Sequence, residues 1–125
     1  HQRALFDVYP SIKRYQERIG KKSEVRTVFG RKKINVGKAT EMYNFPIQST
    51  AADILIRTLN ILHEEGFKLA LTVHDSIVFE SNSPKENGKR AREILTRPIP
   101  ELENQTFPCK VEYGKNWRDL KKLED

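Results

Sequence analysis

The hydrophobic pattern changes period at Gly66, and this change constrains the fold more than any other feature of the chain. Before it, Ile47, Ala51, Ile54, Leu55, Leu59, Ile61 and Leu62 recur mostly at i, i+3, i+4 and i+7, which predicts an amphipathic helix ending at Glu65. Gly66 is a natural stop for it. After it, Phe67, Leu69, Leu71 and Val73 alternate with Lys68, Ala70 and Thr72, and Ile77, Val78 and Phe79 resume beyond His74-Asp75. Two such runs around a polar pair predict a β-hairpin over residues 67–80, packed through Leu69, Leu71, Val73, Ile77 and Phe79. With no Asn-Gly or Asp-Gly between the runs, the turn type stays open. Pro46 disfavours helix at Phe45, so the helix is expected to start around Asn44-Phe45-Pro46. Gln48, Ser49 and Thr50 then fall in its first turn, where free N–H groups and the helix dipole favour an anion.

The flanks are read the same way. Leu5, Val8, Tyr9, Ile12, Tyr15 and Ile19 have helical spacing interrupted by Pro10, which predicts two short helices with Pro10 in the first turn of the second and Gly20 as its cap. Lys13, Arg14 and Arg18 fall on the outer face. Val25, Thr27 and Phe29 alternate before Gly30, a small hairpin or extended loop, and Asn35 to Thr40 reads as loop. Ser83-Pro84 starts a charged helix to Thr96, with Ala91, Ile94 and Leu95 facing inward. Phe107 to Tyr113 is a strand candidate, Gly114 to Trp117 a turn, and Arg118 to Asp125 a charged tail expected to fray. The fold class is therefore α+β: a small antiparallel β-sheet, built on the 67–80 hairpin, packed against the Gln48–Glu65 and Pro84–Thr96 helices. No repeat or linker divides the 125 residues, which read as a single domain.

Charge divides the chain where hydrophobicity does not. Residues 1–40 hold eleven Lys/Arg against three Asp/Glu, whereas residues 41–125 hold twelve against fourteen. A basic first third on a near-neutral remainder suggests a polyanion partner; a merely solvated basic face is the alternative. Cations around Gly30 (Arg31, Lys32 and Lys33) are placed to follow a phosphate backbone. The high charge fits a soluble protein, and no run approaches the roughly 20 apolar residues that cross a bilayer. A single cysteine, Cys109, excludes an internal disulfide framework, fits a reducing compartment and reads as a small core hydrophobe. Beginning at His1 rather than Met suggests a processed or excised piece.

Asp75 is the clearest candidate for chemistry. A carboxylate at the open end of a sheet can bind a hard cation such as Mg²⁺, or it can simply cap a turn. One carboxylate rarely suffices for a metal, because Mg²⁺ takes a near-octahedral set of oxygens. His74 beside it suits a base, a ligand or a hydrogen-bond donor. The three histidines have no zinc-ligand spacing, and neither phosphate-binding glycine motif occurs.

Several stretches, taken together, resemble family A (polymerase I-like) DNA polymerases. Asn44-Phe45-Pro46-Ile47-Gln48-Ser49-Thr50-Ala51-Ala52-Asp53 resembles that family's N-x-P-x-Q-G-T-A-A-D. Val73-His74-Asp75-Ser76 resembles its motif C, V-H-D-E. Tyr9 to Tyr15 is similar to Y-P-x-V-x-x-Y of the fingers, Thr27 to Lys32 to the T-x-x-G-R-R turn, and Val111 to Trp117 to V-E-x-G-x-x-N-W. The motifs occur in order across nearly the whole chain, which is far more specific than any one of them. The resemblance implies a partial polymerase palm, with residues 41–125 as palm core and residues 1–40 as basic adjoining fingers segments. It implies that Asp75 is one of two aspartates holding catalytic Mg²⁺, that His74 contacts the primer terminus, that Asn44 and Gln48 bond DNA near the nascent base pair, and that Arg31 and Lys32 lie near its backbone. Implied partners are primer-template DNA, deoxynucleoside triphosphates bound through upstream segments, and the remainder of the polymerase chain. The implied setting is the cytoplasm, in a bacterial or phage-encoded enzyme.

Three positions depart from the pattern: Ser76 replaces the Glu after the aspartate, Ser49 replaces a Gly, and Thr40 stands where an Arg often precedes the Asn. Neither D-Y-S-x-I-E of motif A nor R-x-x-x-K-x-x-x-F-G-x-x-Y-G of the nucleotide-binding helix occurs in these residues. The expectation is a DNA-directed DNA polymerase fragment, inactive alone, from an excised or split enzyme. Removing the rest of a palm is also expected to leave an apolar patch exposed. The rivals are a non-catalytic nucleic-acid-binding module and a protein-interaction domain.

Overall fold

The computed structural model describes residues 2–34 and 37–124, with the side chain of Gln2 left aside. His1 and Asp125 lie outside the described residues, as do Asn35 and Val36 of the predicted 35–40 loop. The architecture is α+β, with three two-stranded antiparallel sheets among the described residues. The chain forms two compact units, His1–Asp53 and Ile54–Asp125.

In the first unit, α1 (Gln2–Val8) and α2 (Pro10–Gly20) are separate helices, with Pro10 at the start of α2 as its missing N–H and fixed φ require. Gly20 is the last residue of α2 and not a left-handed cap. A Cβ there would stand 3.0 Å from the Tyr43 hydroxyl, so its role is to let Tyr43 approach. Strands β1 (Glu24–Arg26) and β2 (Lys32–Ile34) pair with Arg26 opposite Lys32. Between them Thr27 N–H donates to Arg31 O (2.8 Å) and Gly30 N–H to Thr27 O (3.0 Å). Gly30 has φ 88°, the left-handed residue that a three-residue hairpin loop demands. Ile19, Val25 and Met42 form the buried core, with Tyr15, Tyr43 and Phe45 packed around it.

Helix α3 (Ala39–Glu64) is longer than the sequence predicts, because it runs through Pro46 instead of starting there. Pro46 has no N–H to return to the Met42 carbonyl. The turn before it holds because Met42 is only 1% exposed and Tyr43 and Phe45 pack on the same core. Gln48, Ser49 and Thr50 are consequently inside the helix, with their N–H groups committed to the preceding turn, and the anion site expected at a helix start is not formed there.

In the second unit, α3 ends as the glycine predicts. Gly66 has φ 84°; its N–H bonds His63 O and the next N–H, of Phe67, bonds Leu62 O, each at 3.0 Å. This is a Schellman ending, completed by burial of Leu62 and Phe67 in one cluster. An L side chain pays the left-handed penalty there, so Gly66→Ala is expected to lower stability by about 1–2 kcal/mol in chemical denaturation. An unchanged midpoint would refute this reading of the cap.

Strands β3 (Lys68–Val73) and β4 (Ser76–Glu80) form the predicted hairpin, but β3 carries a bulge at Ala70. Leu69 pairs with Phe79, Leu71 with Val78 and Thr72 with Ile77. Cross-strand partners share a face, so one extra residue inverts the alternation of β3. Leu69, Ile77 and Phe79 pack against the core of Leu62, Phe67, Ala91 and Ile94. Leu71 and Val73, predicted to join them, turn to the opposite face and are 47% and 39% exposed.

Helix α4 (Pro84–Leu95) closes this core through Ala91 and Ile94. The predicted 107–113 strand shortens to β5 (Glu112–Tyr113), which pairs with β6 (Lys121–Lys122). The tail does not fray before Glu124. Leu123 N–H bonds Val111 O at 2.8 Å, and its side chain is buried where Gly88 leaves room; a Cβ on Gly88 would lie 2.8 Å from Leu123 Cδ2. Among the described residues no helix is long and apolar enough to cross a membrane.

Candidate functional site

The β3–β4 hairpin is closed by the Val73–Ser76 pair, so His74 and Asp75 are the whole loop. A two-residue loop needs positive φ at its first position, which glycine normally supplies. Here His74 holds it, at φ 54°. Asp75 has no positive φ, so the loop lacks the two positive φ values of a type I′ turn. Both residues are exposed, and among the described residues neither side chain has a hydrogen bond or ion pair. Asp75 is therefore not a turn cap: its carboxylate stands unpaired at the tip of the hairpin.

The histidine conformation carries a measurable consequence. Histidine tolerates the left-handed region better than most side chains but still less well than glycine. His74→Gly is expected to raise stability by about 0.5–1 kcal/mol, read as a shift of the denaturation midpoint. Lower stability in that variant would mean the turn is unstrained.

The other candidate residues lie in the first unit. Asn44 and Gln48 are both exposed, one turn apart on α3, and present their amides side by side. Arg31 follows the β1–β2 loop, and its guanidinium reaches back to α3: Nε and Nη2 donate to Asp53 Oδ1 at 3.0 and 2.5 Å. The buried Thr27 hydroxyl accepts from Arg31 N–H (3.1 Å) and donates to Asp53 Oδ2 (3.5 Å). Lys32 pairs with Glu24 (3.3 Å) and Lys33 with Glu41 (3.0 Å). Each cation of the loop thus already faces a carboxylate, an arrangement that residues 22 positions apart, such as Arg31 and Asp53, do not betray in sequence.

These pairs set a pH dependence. The Arg31 guanidinium holds Asp53 below the usual carboxylate range, and Arg26 and Lys32 do the same to Glu24. In the second unit Lys68 lowers Glu80 and Arg57 lowers Glu101. Unfolded, these carboxyls titrate at about 4, so the stability they add is complete above that value and is lost as pH falls through the lower folded values. Urea denaturation is expected to give a flat stability from about pH 7 to 5 and a decline below about pH 4, shallower in high salt. Stability that rises on acidification would contradict the pairing.

The Mg²⁺ that the resemblance implies is not accommodated by these residues alone. Among the described residues His, Cys, Asp and Glu nowhere gather in threes suited to a metal, and the chain neighbours of Asp75 are His74 and Ser76. A single carboxylate leaves most of an octahedral shell unfilled. At this hairpin tip the described residues offer one carboxylate, that of Asp75. Arg31, Lys32, Asn44 and Gln48 belong to the first unit, and His74 and Asp75 to the second.

The sequence profile of DNA polymerase family A matches residues 2–119. The thermostable DNA polymerase I of Thermus thermophilus is 28% identical over 137 residues, covering 93% of this chain and 16% of that protein. The DNA polymerase I of Chloroflexus aurantiacus is 28% identical over 142 residues, covering 95% of this chain and 15% of the relative. The DNA polymerase of Mycobacterium phage D29 is 29% identical over 120 residues, 90% of this chain and 20% of the relative. The chain therefore spans no more than a fifth of the length of these relatives. No solved structure matches it significantly.

Proposed function

This chain belongs to DNA polymerase family A, and on that premise we propose that it is the C-terminal palm portion, with adjoining fingers segments, of a DNA-directed DNA polymerase. The observation that carries the reading is the unpaired carboxylate of Asp75 at the tip of the β3–β4 hairpin, next to a strained His74, within the stretch that resembles motif C. The reaction is templated transfer of a deoxynucleotide to a primer 3′-hydroxyl by a two-metal mechanism. Asp75 would be one of its Mg²⁺ ligands, and the remaining ligands would come from outside these 125 residues. His74 would meet the primer terminus. Asn44 and Gln48 would bond DNA near the nascent pair, as exposed amides on one helix face can. Arg31 and Lys32 would lie along the duplex backbone, with Asp53 and Glu24 orienting them. Partners are primer-template DNA, deoxynucleoside triphosphates and the rest of the polymerase; bacterial and phage relatives favour a cytoplasmic setting.

A second reading, a nucleic-acid-binding module without catalysis, is favoured by one observation: exposed Lys13, Arg14 and Arg18 on α2, which the proposed chemistry does not use. Primer extension separates the two. With Mg²⁺ and four deoxynucleotides, this chain alone is expected to give no product, and supplying the motif A and nucleotide-binding segments is expected to restore extension. Product from the chain alone overturns the claim of an incomplete site. No product even after the segments assemble with it favours the binding module.

A further inference from the structure

We propose that the outer face of α2 and its cap residue, formed by Lys13, Arg14, Arg18 and Lys21, is a docking face for one phosphate strand of DNA. The inference rests on the reading above that this chain engages primed template, and it places the main electrostatic contact on α2 instead of the β1–β2 loop. On the β1–β2 hairpin, Arg31, Lys32 and Lys33 each face a carboxylate. On α2 all four cations are exposed, and none has an ion pair among the described residues. Glu17 is the one carboxylate on that face. The opposite face carries Ile19, buried in the core, and Tyr15, whose hydroxyl donates to Tyr43 O at 2.9 Å. The helix is therefore anchored on one side and positively charged on the other.

Helix stability accounts for only part of this charge: Glu17 stands four residues from both Lys13 and Lys21 and supports the helix with each. Arg18 and Lys21 at the C-terminal end suit the macrodipole. Lys13 and Arg14 lie in the N-terminal half, where the dipole gives a cation nothing, and Arg14 and Arg18 are a like-charge i, i+4 pair that opposes the helix. A partner outside the fold explains the concentration. The spacing suits a phosphate strand: eight residues of helix span about 12 Å, long enough for the four cations to reach along successive phosphates of one strand.

The test is binding of labelled primed-template duplex to the protein by fluorescence anisotropy across a salt series. In the variant carrying Lys13→Gln, Arg14→Gln, Arg18→Gln and Lys21→Gln, the slope of log K against log salt is expected to be shallower by about 3–4, and affinity at low salt roughly tenfold weaker or more. Arg14→Gln or Arg18→Gln alone should each remove about 0.9 from the slope, which keeps the test sound if the fourfold variant folds poorly. Lys85→Gln with Lys89→Gln on α4 should leave the slope unchanged. An unchanged slope in the α2 variants, an equal loss in the α4 control, or no duplex binding by the parent protein overturns the proposal. The polymerase reading stands or falls separately. A protein that supports extension with the supplied segments, yet keeps its slope in the α2 variants, loses only the docking face. One that loses the slope but never supports extension loses only the polymerase assignment.

Discussion

On the proposed polymerase reading, Asp75→Asn is expected to lower templated primer extension about a thousandfold when this chain is combined with motif A and nucleotide-binding segments, while leaving its fold intact. The two halves of that expectation come from different observations. Asp75 is exposed, unpaired and outside both cores, so an isosteric amide should change stability by less than about 0.5 kcal/mol. At a phosphoryl-transfer site, by contrast, a lost carboxylate ligand removes stabilisation on the scale of several kcal/mol, and each 1.36 kcal/mol or so is a factor of ten in rate. Binding of primed template should move the other way, slightly tighter, because one negative charge has gone. Unaltered denaturation, slightly stronger binding and collapsed extension together are a signature that a structural aspartate cannot give. Extension within threefold of the parent would remove Asp75 from the chemistry and leave the nucleic-acid-binding module as the better account.

The residues that made the hairpin legible also show where sequence reading stops. Gly66 marked the change of period, and the same glycine ends α3 and turns the chain into β3. The His74-Asp75 loop was placed by the polar pair between two apolar runs. Ala70, however, gives no sequence signal that it will bulge, so the alternation of Leu71 and Val73 predicts the core face where the structure has the opposite one. Pro46 gave a strong local signal that tertiary packing overrode: burial of Met42 outweighs one missing helical hydrogen bond. Charge behaved likewise. The excess in the first 40 residues was visible, but which cations already had carboxylates was not, because Arg31 meets Asp53, and Lys33 meets Glu41, only once α3 and the β1–β2 hairpin have formed. Local patterns therefore locate the hairpins and helices, and long-range pairing decides which of their charges remain available.

How firmly the tip is held depends on a small core, which makes Leu62→Ala the second large expected effect. Leu62 is fully buried and serves twice, as the carbonyl that receives Phe67 N–H in the ending of α3 and as the centre of the cluster with Phe67, Ala91 and Ile94. The backbone bond survives the substitution; the packing does not. Removing three buried carbons where Phe67 and Phe79 already meet edge to face, with ring centroids 5.0 Å apart, leaves a void that two aromatic rings cannot easily fill. The expected loss is about 3 kcal/mol, within the roughly 2–5 kcal/mol seen for such truncations, and a large part of the total for a small domain. Because Leu69, Ile77 and Phe79 rest on that cluster, hydrogen exchange should show β3 and β4 amides losing protection together. Leu62→Met, which preserves volume, should cost less than about 1.5 kcal/mol and keep that protection. If Leu62→Ala instead loses under 1 kcal/mol with the strands still protected, the hairpin is held by its own ladder and the Lys68–Glu80 pair, and the precision of the His74-Asp75 tip does not derive from the core beneath it.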